Sequence, residues 1–261
     1  MLVKVLGSGH SGGTPMIGEG WGKANPLNSK NRRTRPSILV EDEETTILID
    51  TSPDLRSQLI NANVQHIDAL LYTHSHADHL HGIDDLRAIN RCMNKWIPTY
   101  TNKQTWDDIS QRFGYVLEPL KGNTSFFYKP CLEKNEINIG DRFKIGNFFI
   151  DVFEQDHGFL KTLGFRINKF AYSTDVVSMP KSSFSILSGI DTWIVGTLWE
   201  EPHITHAHVN KALEWSRIVK PRRLILSHLS HKIDYEAVTL KMPSYAELAY
   251  DGMTLNIPDN Y

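Results

Sequence analysis

The sequence predicts an α/β fold in which two mixed β-sheets pack face to face with helices on their outer sides. Two observations carry this. β-rich runs with helical patterns between them occur in both halves of the chain, and 261 residues that are 40% hydrophobic and 22% charged suffice for one large layered core. No short fixed-period repeat offers a solenoid instead. One domain over residues 1–261 is expected.

Leu2–Leu6 reads as a strand that runs into a glycine-rich loop from Gly7 to Gly22. Gly7-Ser8-Gly9-His10-Ser11-Gly12 formally matches G-x-G-x-x-G, but a dinucleotide fingerprint needs a helix directly after it. Gly13, Pro15, Gly18, Gly20 and Gly22 would break one, so the stretch reads as a loop. Ser37–Val40 and Thr45–Asp50 form a hairpin around the charged turn Asp42-Glu43-Glu44. Pro53 is placed in the first turn of a helix carrying Leu55, Leu59 and Ile60, and Ala69–Tyr72 is the next buried strand. A helix over Asp84–Asn90, a short strand at Pro98–Tyr100 and a helix over Gln104–Phe113 follow. Glu118–Gly140, with two prolines and Gly122, reads as a surface loop.

In the second half, strands are predicted near Phe143–Ile145, Phe148–Phe153, Gly164–Ile167, Ala171–Ser173, Trp193–Val195 and Leu224–Ser227. Val209, Ala212, Leu213, Trp215 and Ile218 keep a roughly 3.6-residue period, which makes a helix ended by Pro221.

The formal charge of −2 and pI near 6.6 give no global field for nucleic acid or a membrane surface. No stretch approaches the ~18 apolar residues of a membrane span, and the N-terminal apolar run is too short for a secretory core, so a cytoplasmic location is expected. Cys92 and Cys131 form no C-x-x-C pair and read as free thiols.

The chemistry lies in the histidines, of which there are twelve, unevenly placed. His74-Ser75-His76-Ala77-Asp78-His79 puts three imidazoles and a carboxylate within six residues directly after a buried strand. In extended backbone His74 and His76 share a side, while Asp78 and His79, on the turn, can address a neighbouring point. Two metal positions fit this better than one. Imidazole nitrogen and carboxylate oxygen suit zinc, manganese or iron, and a hydrolytic site keeps a position open for water.

H-x-H-x-D-H after an apolar strand resembles the signature of the metallo-β-lactamase superfamily, which implies a four-layer αββα sandwich. The later ligands of its two-metal hydrolases have matches in order: His157 before Gly158, Asp175 ending Tyr172-Ser173-Thr174-Asp175, and His228 ending Ile225-Leu226-Ser227-His228. The resemblance implies that His74, His76 and His157 hold one ion, that Asp78, His79 and His228 hold the other, and that Asp175 bridges them. Asn31-Arg32-Arg33, Asp50–Asp54, Gly82–Arg87, Thr205-His206-Ala207-His208 and Tyr250–Met253 look like the phosphoribosyl cyclic phosphate phosphodiesterase branch. Two departures stand out. Gly22–Pro26 lacks the cysteines of that branch's accessory zinc site, and Gly196 stands where relatives tend to carry an aspartate.

The expected function is therefore phosphodiester hydrolysis by two divalent ions, with a small cyclic sugar or nucleotide diester as substrate. Two divalent cations set against Asp78, Asp175 and a bridging hydroxide leave about one positive charge, which suits a monoanionic diester. Catalytic roles fall to Asp78 and to His206, the candidate donor to the leaving oxygen on the Pro202–His208 loop. In the resembling branch a histidine at this motif contacts the phosphate. Asp50 is read as the partner that orients a metal-bound imidazole. His66 reads as an exposed loop residue, His10 and His81 flank the site loops, and His203, His208 and His231 are near it only in sequence. Arg32, Arg33 and Arg35 read as solvated surface, with phosphate recognition as the alternative. A homodimer is compatible with the sequence. The competing functions are a tRNA 3′-processing-like endoribonuclease, against which the charge balance argues, and a non-catalytic metal-stabilised module that binds a nucleotide or sugar phosphate.

Overall fold

The computed structural model describes residues 1–122 and 126–258. Alternation within single strands sets its architecture. In β3 (Thr46–Ile49), Ile47 and Ile49 join one apolar cluster and Leu48 joins another. In the later strand Thr192–Gly196, Ile194 joins that first cluster while Trp193 and Val195 join a third. Successive side chains point to opposite faces, so strands apolar on both faces need cover on both. The result is the expected four-layer αββα sandwich, with one core between the sheets and a helical layer outside each.

The first sheet contains β1 (Leu2–Gly7), β2 (Ser37–Glu41), β3, β4 (Ala69–Leu71), β5 (Ile97–Thr101) and β6 (Leu132–Glu136). The second contains β7 (Arg142–Ile145), β8 (Phe148–Asp156), β9 (Lys161–Ile167), β10 (Phe170–Ser173), β11 (Thr192–Gly196), β12 (Arg223–Ser227) and β13 (Ala246–Leu248), while β14 (Thr254–Asn256) returns to pair with β1. The halves mirror each other. β3 to β6 and β10 to β13 run parallel, whereas β14-β1-β2-β3 and β7-β8-β9-β10 are antiparallel.

Outside the first sheet, α1 (Leu55–Asn61), α3 (Leu86–Met93) and α4 (Lys103–Phe113) contribute Leu55, Leu59, Ile89, Trp106 and Ile109 to the cluster containing Leu39, Leu48 and Leu70; the short α2 (Ala77–Leu80) lies between α1 and α3 in sequence. On the second sheet, α5 (Lys181–Ile186), α6 (Val209–Val219) and α7 (Tyr235–Thr239) do the equivalent, with Ala212, Trp215 and Val219 of α6 against Val195 and Leu224.

Some expectations are corrected. Glu118–Gly140 is not all loop, because it contains β6, an edge strand in which only Leu132 is buried and no apolar alternation exists to be read. Residues 123–125 of that expected loop lie outside the described residues. Pro53 precedes the Asp54 cap of α1 instead of opening the helix, and Ile60 is exposed. The short β13 and β14 and the one-turn α7 were not anticipated. Cys92 and Cys131 are free, as expected. Among the described residues no helix is long and apolar enough to cross a membrane.

Candidate metal centre

The C-terminal ends of β3, β4, β8, β10 and β12 converge, and this is where α/β sheets place ligand sites. Asp50, Asp175 and His228 leave their strands in the left-handed region, at φ 63°, 49° and 59°. That conformation is uncommon for residues with a Cβ and costs on the order of 1–3 kcal/mol each, a strain typical of functional sites. Gly196 ends β11 next to this turn. A Cβ there would lie 3.1 Å from Thr174 Cα and 3.2 Å from the Asp175 amide nitrogen, so the departure from the branch pattern lets β11 approach the Asp175 backbone.

His76 caps α2, which places Asp78 and His79 on a single helical turn. From α4, Asp108 accepts a hydrogen bond from Ser75 Oγ and Arg112 donates to the Ser75 carbonyl at 2.9 Å, pinning the backbone between His74 and His76. Asp50 is wholly buried and does what was expected of it. Its Oδ2 lies 2.7 Å from His79 Nδ1 and accepts from Thr73 Oγ1 at 2.8 Å, and Thr73 Oγ1 lies 3.0 Å from His74 Nδ1. One carboxylate thus orients an imidazole in each half of the cluster.

Two groups of side chains have ligand atoms within 4.8 Å of one another, and either group could hold a metal ion: His74, His76, His157 and Asp175, and Asp78, His79, Asp175 and His228. Asp175 belongs to both. Its Oδ2 faces His157 Nε2 at 3.3 Å and His74 Nε2 at 3.6 Å, while its Oδ1 faces His228 Nε2 at 3.0 Å and His79 Nε2 at 3.3 Å. His79 Nε2 and His228 Nε2 each lie 3.3 Å from Asp78 Oδ2.

These nitrogens converge on the carboxylates, yet His74 Nε2 and His79 Nε2 are buried without a hydrogen-bond partner. Buried polar atoms are normally satisfied, and a cation held by each group would satisfy the one that belongs to it. The electrostatics agree. Burial pushes His74, His76 and His157 below the ordinary imidazole range, which keeps them neutral and able to ligate. Burial opposes charge on Asp78 and Asp175 too, but His79 and His228 outweigh it and hold both carboxyls well below their usual range. For His79, burial is outweighed by Asp78, Asp175 and Asp50, which draw positive charge onto its ring. The donor set fits two divalent cations.

His206 lies against the side of this cluster. Its ring stacks on His228 at 5.0 Å between centroids and meets His157 edge-on at 4.7 Å, with Nε2 3.5 Å from Asp175 Oδ2. His203 Nδ1 is 3.3 Å from His206 Nδ1. His10 is buried, with ring centroids 6.0 Å from His231 and 6.5 Å from His228, and burial lowers its pKa to about 3. His231 pairs with Glu19 at 2.9 Å, His208 caps α6, and exposed His81 packs on Phe113. His66 is exposed, as expected.

The arginine run is corrected. Arg32 is exposed and lies over the Trp21 ring, and Arg35 is paired with Asp54 at 2.6 Å, but Arg33 is 2% exposed. Arg33 donates to the carbonyls of Ser230 and Ile233 at 3.0 and 2.9 Å and to Asn31 Oδ1 at 2.8 Å. Asn31 in turn donates to Asp234 at 2.7 Å. These residues tie the segment after β1 to the segment after His228, so their role is to brace the cluster, and neither presents itself to a phosphate. Arg33→Met should lower stability by about 2–4 kcal/mol through the carbonyls left unpaired. Chemical denaturation would measure it, and a change under about 0.5 kcal/mol would show that the brace is dispensable.

The fold and the cluster define a class, an αββα sandwich with two histidine-carboxylate groups sharing one aspartate at the strand ends. The chain belongs to the β-lactamase superfamily domain family, whose model matches residues 45–229. It is 30% identical over 258 residues to a Porphyromonas gingivalis octanoyltransferase, covering 97% of this chain and 51% of that one. It is 31% identical over 151 residues to ribonuclease Z of Methanopyrus kandleri, covering 56% and 48%. The chain thus spans about half the length of these curated relatives. A solved structure described as a new diphosphatase from the PhnP family superposes with a TM-score of 0.89 at 29% identity over 98% of both chains, in keeping with the expected phosphodiesterase branch.

Proposed function

We propose that this chain is a dinuclear metal-dependent phosphodiesterase that hydrolyses small diesters, cyclic sugar or nucleotide phosphates foremost. The observation that carries the reading is Asp175, whose two oxygens each face a separate group of imidazoles. That is the disposition a bridging carboxylate needs. His74, His76 and His157 would hold one ion, Asp78, His79 and His228 the other, and Asp175 both; zinc, manganese and iron all suit these donors. Bound there, two divalent ions would acidify water in the site and offset charge on the phosphoryl oxygens.

The chain's own residues supply the rest. Asp78 and Asp175 set the net charge so that a monoanion is attracted. Asp50 and Thr73 hold His79 and His74 in ligating orientation. His206 Nε2 is the side-chain donor beside the cluster that the ligand set leaves over, and it hydrogen-bonds the leaving oxygen as charge develops there.

The test is a panel run on metal-reconstituted protein: cyclic diesters, linear diesters, diphosphate diesters, a β-lactam and an acyl thioester. Cyclic diesters should give the highest kcat/KM. Turnover of the β-lactam with none of any diester would sink the reading. A second reading, cleavage of a tRNA 3′ end, is favoured by the likeness to ribonuclease Z. Its mark would be RNA cleavage that falls steeply as salt rises, because an RNA contact releases counterions.

A further inference from the structure

Thr205 stands between two imidazoles of the cluster and instructs them differently. Its carbonyl oxygen lies 2.7 Å from His157 Nδ1, and its hydroxyl lies 2.7 Å from His206 Nδ1. A carbonyl only accepts. His157 therefore carries its proton on Nδ1 and turns the Nε2 lone pair into the cluster, the form a metal ligand needs.

A hydroxyl can also donate, and the surroundings decide which way it does. The Thr205 backbone N–H donates to His203 Nδ1 at 3.3 Å, which makes that nitrogen an acceptor already served. Thr205 Oγ1 is 3.1 Å from His203 Nδ1 but 2.7 Å from His206 Nδ1. At the far end of the His206 ring, Nε2 lies 3.5 Å from Asp175 Oδ2 and is buried without a hydrogen-bond partner. His206 Nδ1 is thus the nearer acceptor for the hydroxyl, and when the hydroxyl donates there the ring proton stays on the unpartnered Nε2.

The other oriented imidazoles follow the opposite rule. His79 Nδ1 meets the acceptor Asp50 at 2.7 Å. His74 Nδ1 meets Thr73 Oγ1, whose own proton goes to Asp50 at 2.8 Å. Each is thereby turned to present Nε2 to the cluster. We infer that Thr205 is the positioning residue that keeps His206 out of the metal-ligand set and reserves its Nε2–H as a neutral hydrogen-bond donor to the substrate's leaving oxygen. The N–H offsets the charge developing on that oxygen, and the departing alkoxide takes its proton from solvent water. The inference rests on the phosphodiesterase reading for its substrate and on geometry alone for its tautomer.

The experiment is long-range proton-nitrogen NMR of zinc-loaded protein with labelled histidine, the His206 signals being assigned by their loss in His206→Gln. Wild type should show His206 protonated on Nε2. Thr205→Val removes the hydroxyl and keeps the carbonyl that serves His157. It should shift His206 toward Nδ1 protonation and lower kcat about tenfold or more on an alkoxide-leaving diester, a share of the ~10²–10³-fold a preorganised donor contributes. KM and metal content should hold, and Thr205→Ser should restore both readouts. A wild-type His206 protonated on Nδ1 would overturn the inference, and so would a Val variant with unchanged tautomer and kcat. The wild-type spectrum decides the tautomer even if the Val variant fails to fold. An Nε2–H signal in a protein that turns over no diester would uphold the tautomer and overturn the phosphodiesterase reading.

Discussion

Asp175→Ala should bring metal content down from about two equivalents per chain to one or fewer and abolish most hydrolysis. The geometry makes this the most damaging single change. Asp175 Oδ2 faces His74 and His157, Oδ1 faces His79 and His228, and among the described residues no other carboxylate belongs to both groups. Losing a supporting partner one step removed from a metal commonly costs 10–100-fold in affinity or activity, so losing the shared ligand should cost at least about 10²-fold in kcat/KM. Asp175→Asn separates charge from shape. The amide keeps one oxygen and should retain a single ion, because its nitrogen cannot ligate. Elemental analysis after gentle purification gives the stoichiometry. A thermal shift titrated with metal gives affinity independently of turnover, since binding to the folded state alone raises stability with ligand concentration. Two equivalents retained in the Ala variant at wild-type rates would dismiss the bridge and, with it, the dinuclear assignment.

How legible the site was depended on how local its evidence is. The run from His74 to His79 declares itself, because four donor side chains within six residues after a buried strand have few other uses. Asp50 could be anticipated from its place at the end of a buried strand, and it sits on His79. His157, Asp175 and His228 are scattered along the chain, and only resemblance could join them. Topology brings them together physically, as β8, β10 and β12 end at one edge. What was misread is instructive. Local sequence makes Arg33 solvated surface or a phosphate contact, but the carbonyls it donates to lie 197 and 200 residues further along the chain, beyond any local pattern. Asp251 belongs with them, since it accepts from both Ser8 and Thr34 and so braces the same segment. Thr205 enters the sequence reading only as part of the Thr205–His208 motif, with no role of its own, because nothing local tells which imidazole its hydroxyl meets. β6 escaped because a polar edge strand carries no period to detect.

His206→Ala should leave both metal equivalents in place and lower kcat by about 10²–10⁴-fold on diesters with a poor leaving group, the range expected for a positioned donor. The imidazole touches the cluster from the side, stacked on His228 and 3.5 Å from Asp175, while the two ligand groups are complete without it. Burial holds its pKa below the ordinary value even though Asp175 pulls the other way, so the ring is neutral at physiological pH. A neutral N–H helps most where charge on the leaving oxygen is greatest. A sugar alkoxide carries nearly a full charge as it departs and needs that donor, whereas nitrophenolate spreads its charge and needs little. The loss on a nitrophenyl diester should therefore be much smaller than on a ribose diester of comparable KM. Equal losses on the two substrates would reduce His206 to a phosphate-binding residue. Loss of a metal equivalent would make it a ligand, against the tautomer its neighbours select, and wild-type rates on the alkoxide diester would pass the donor role to His231 or His208.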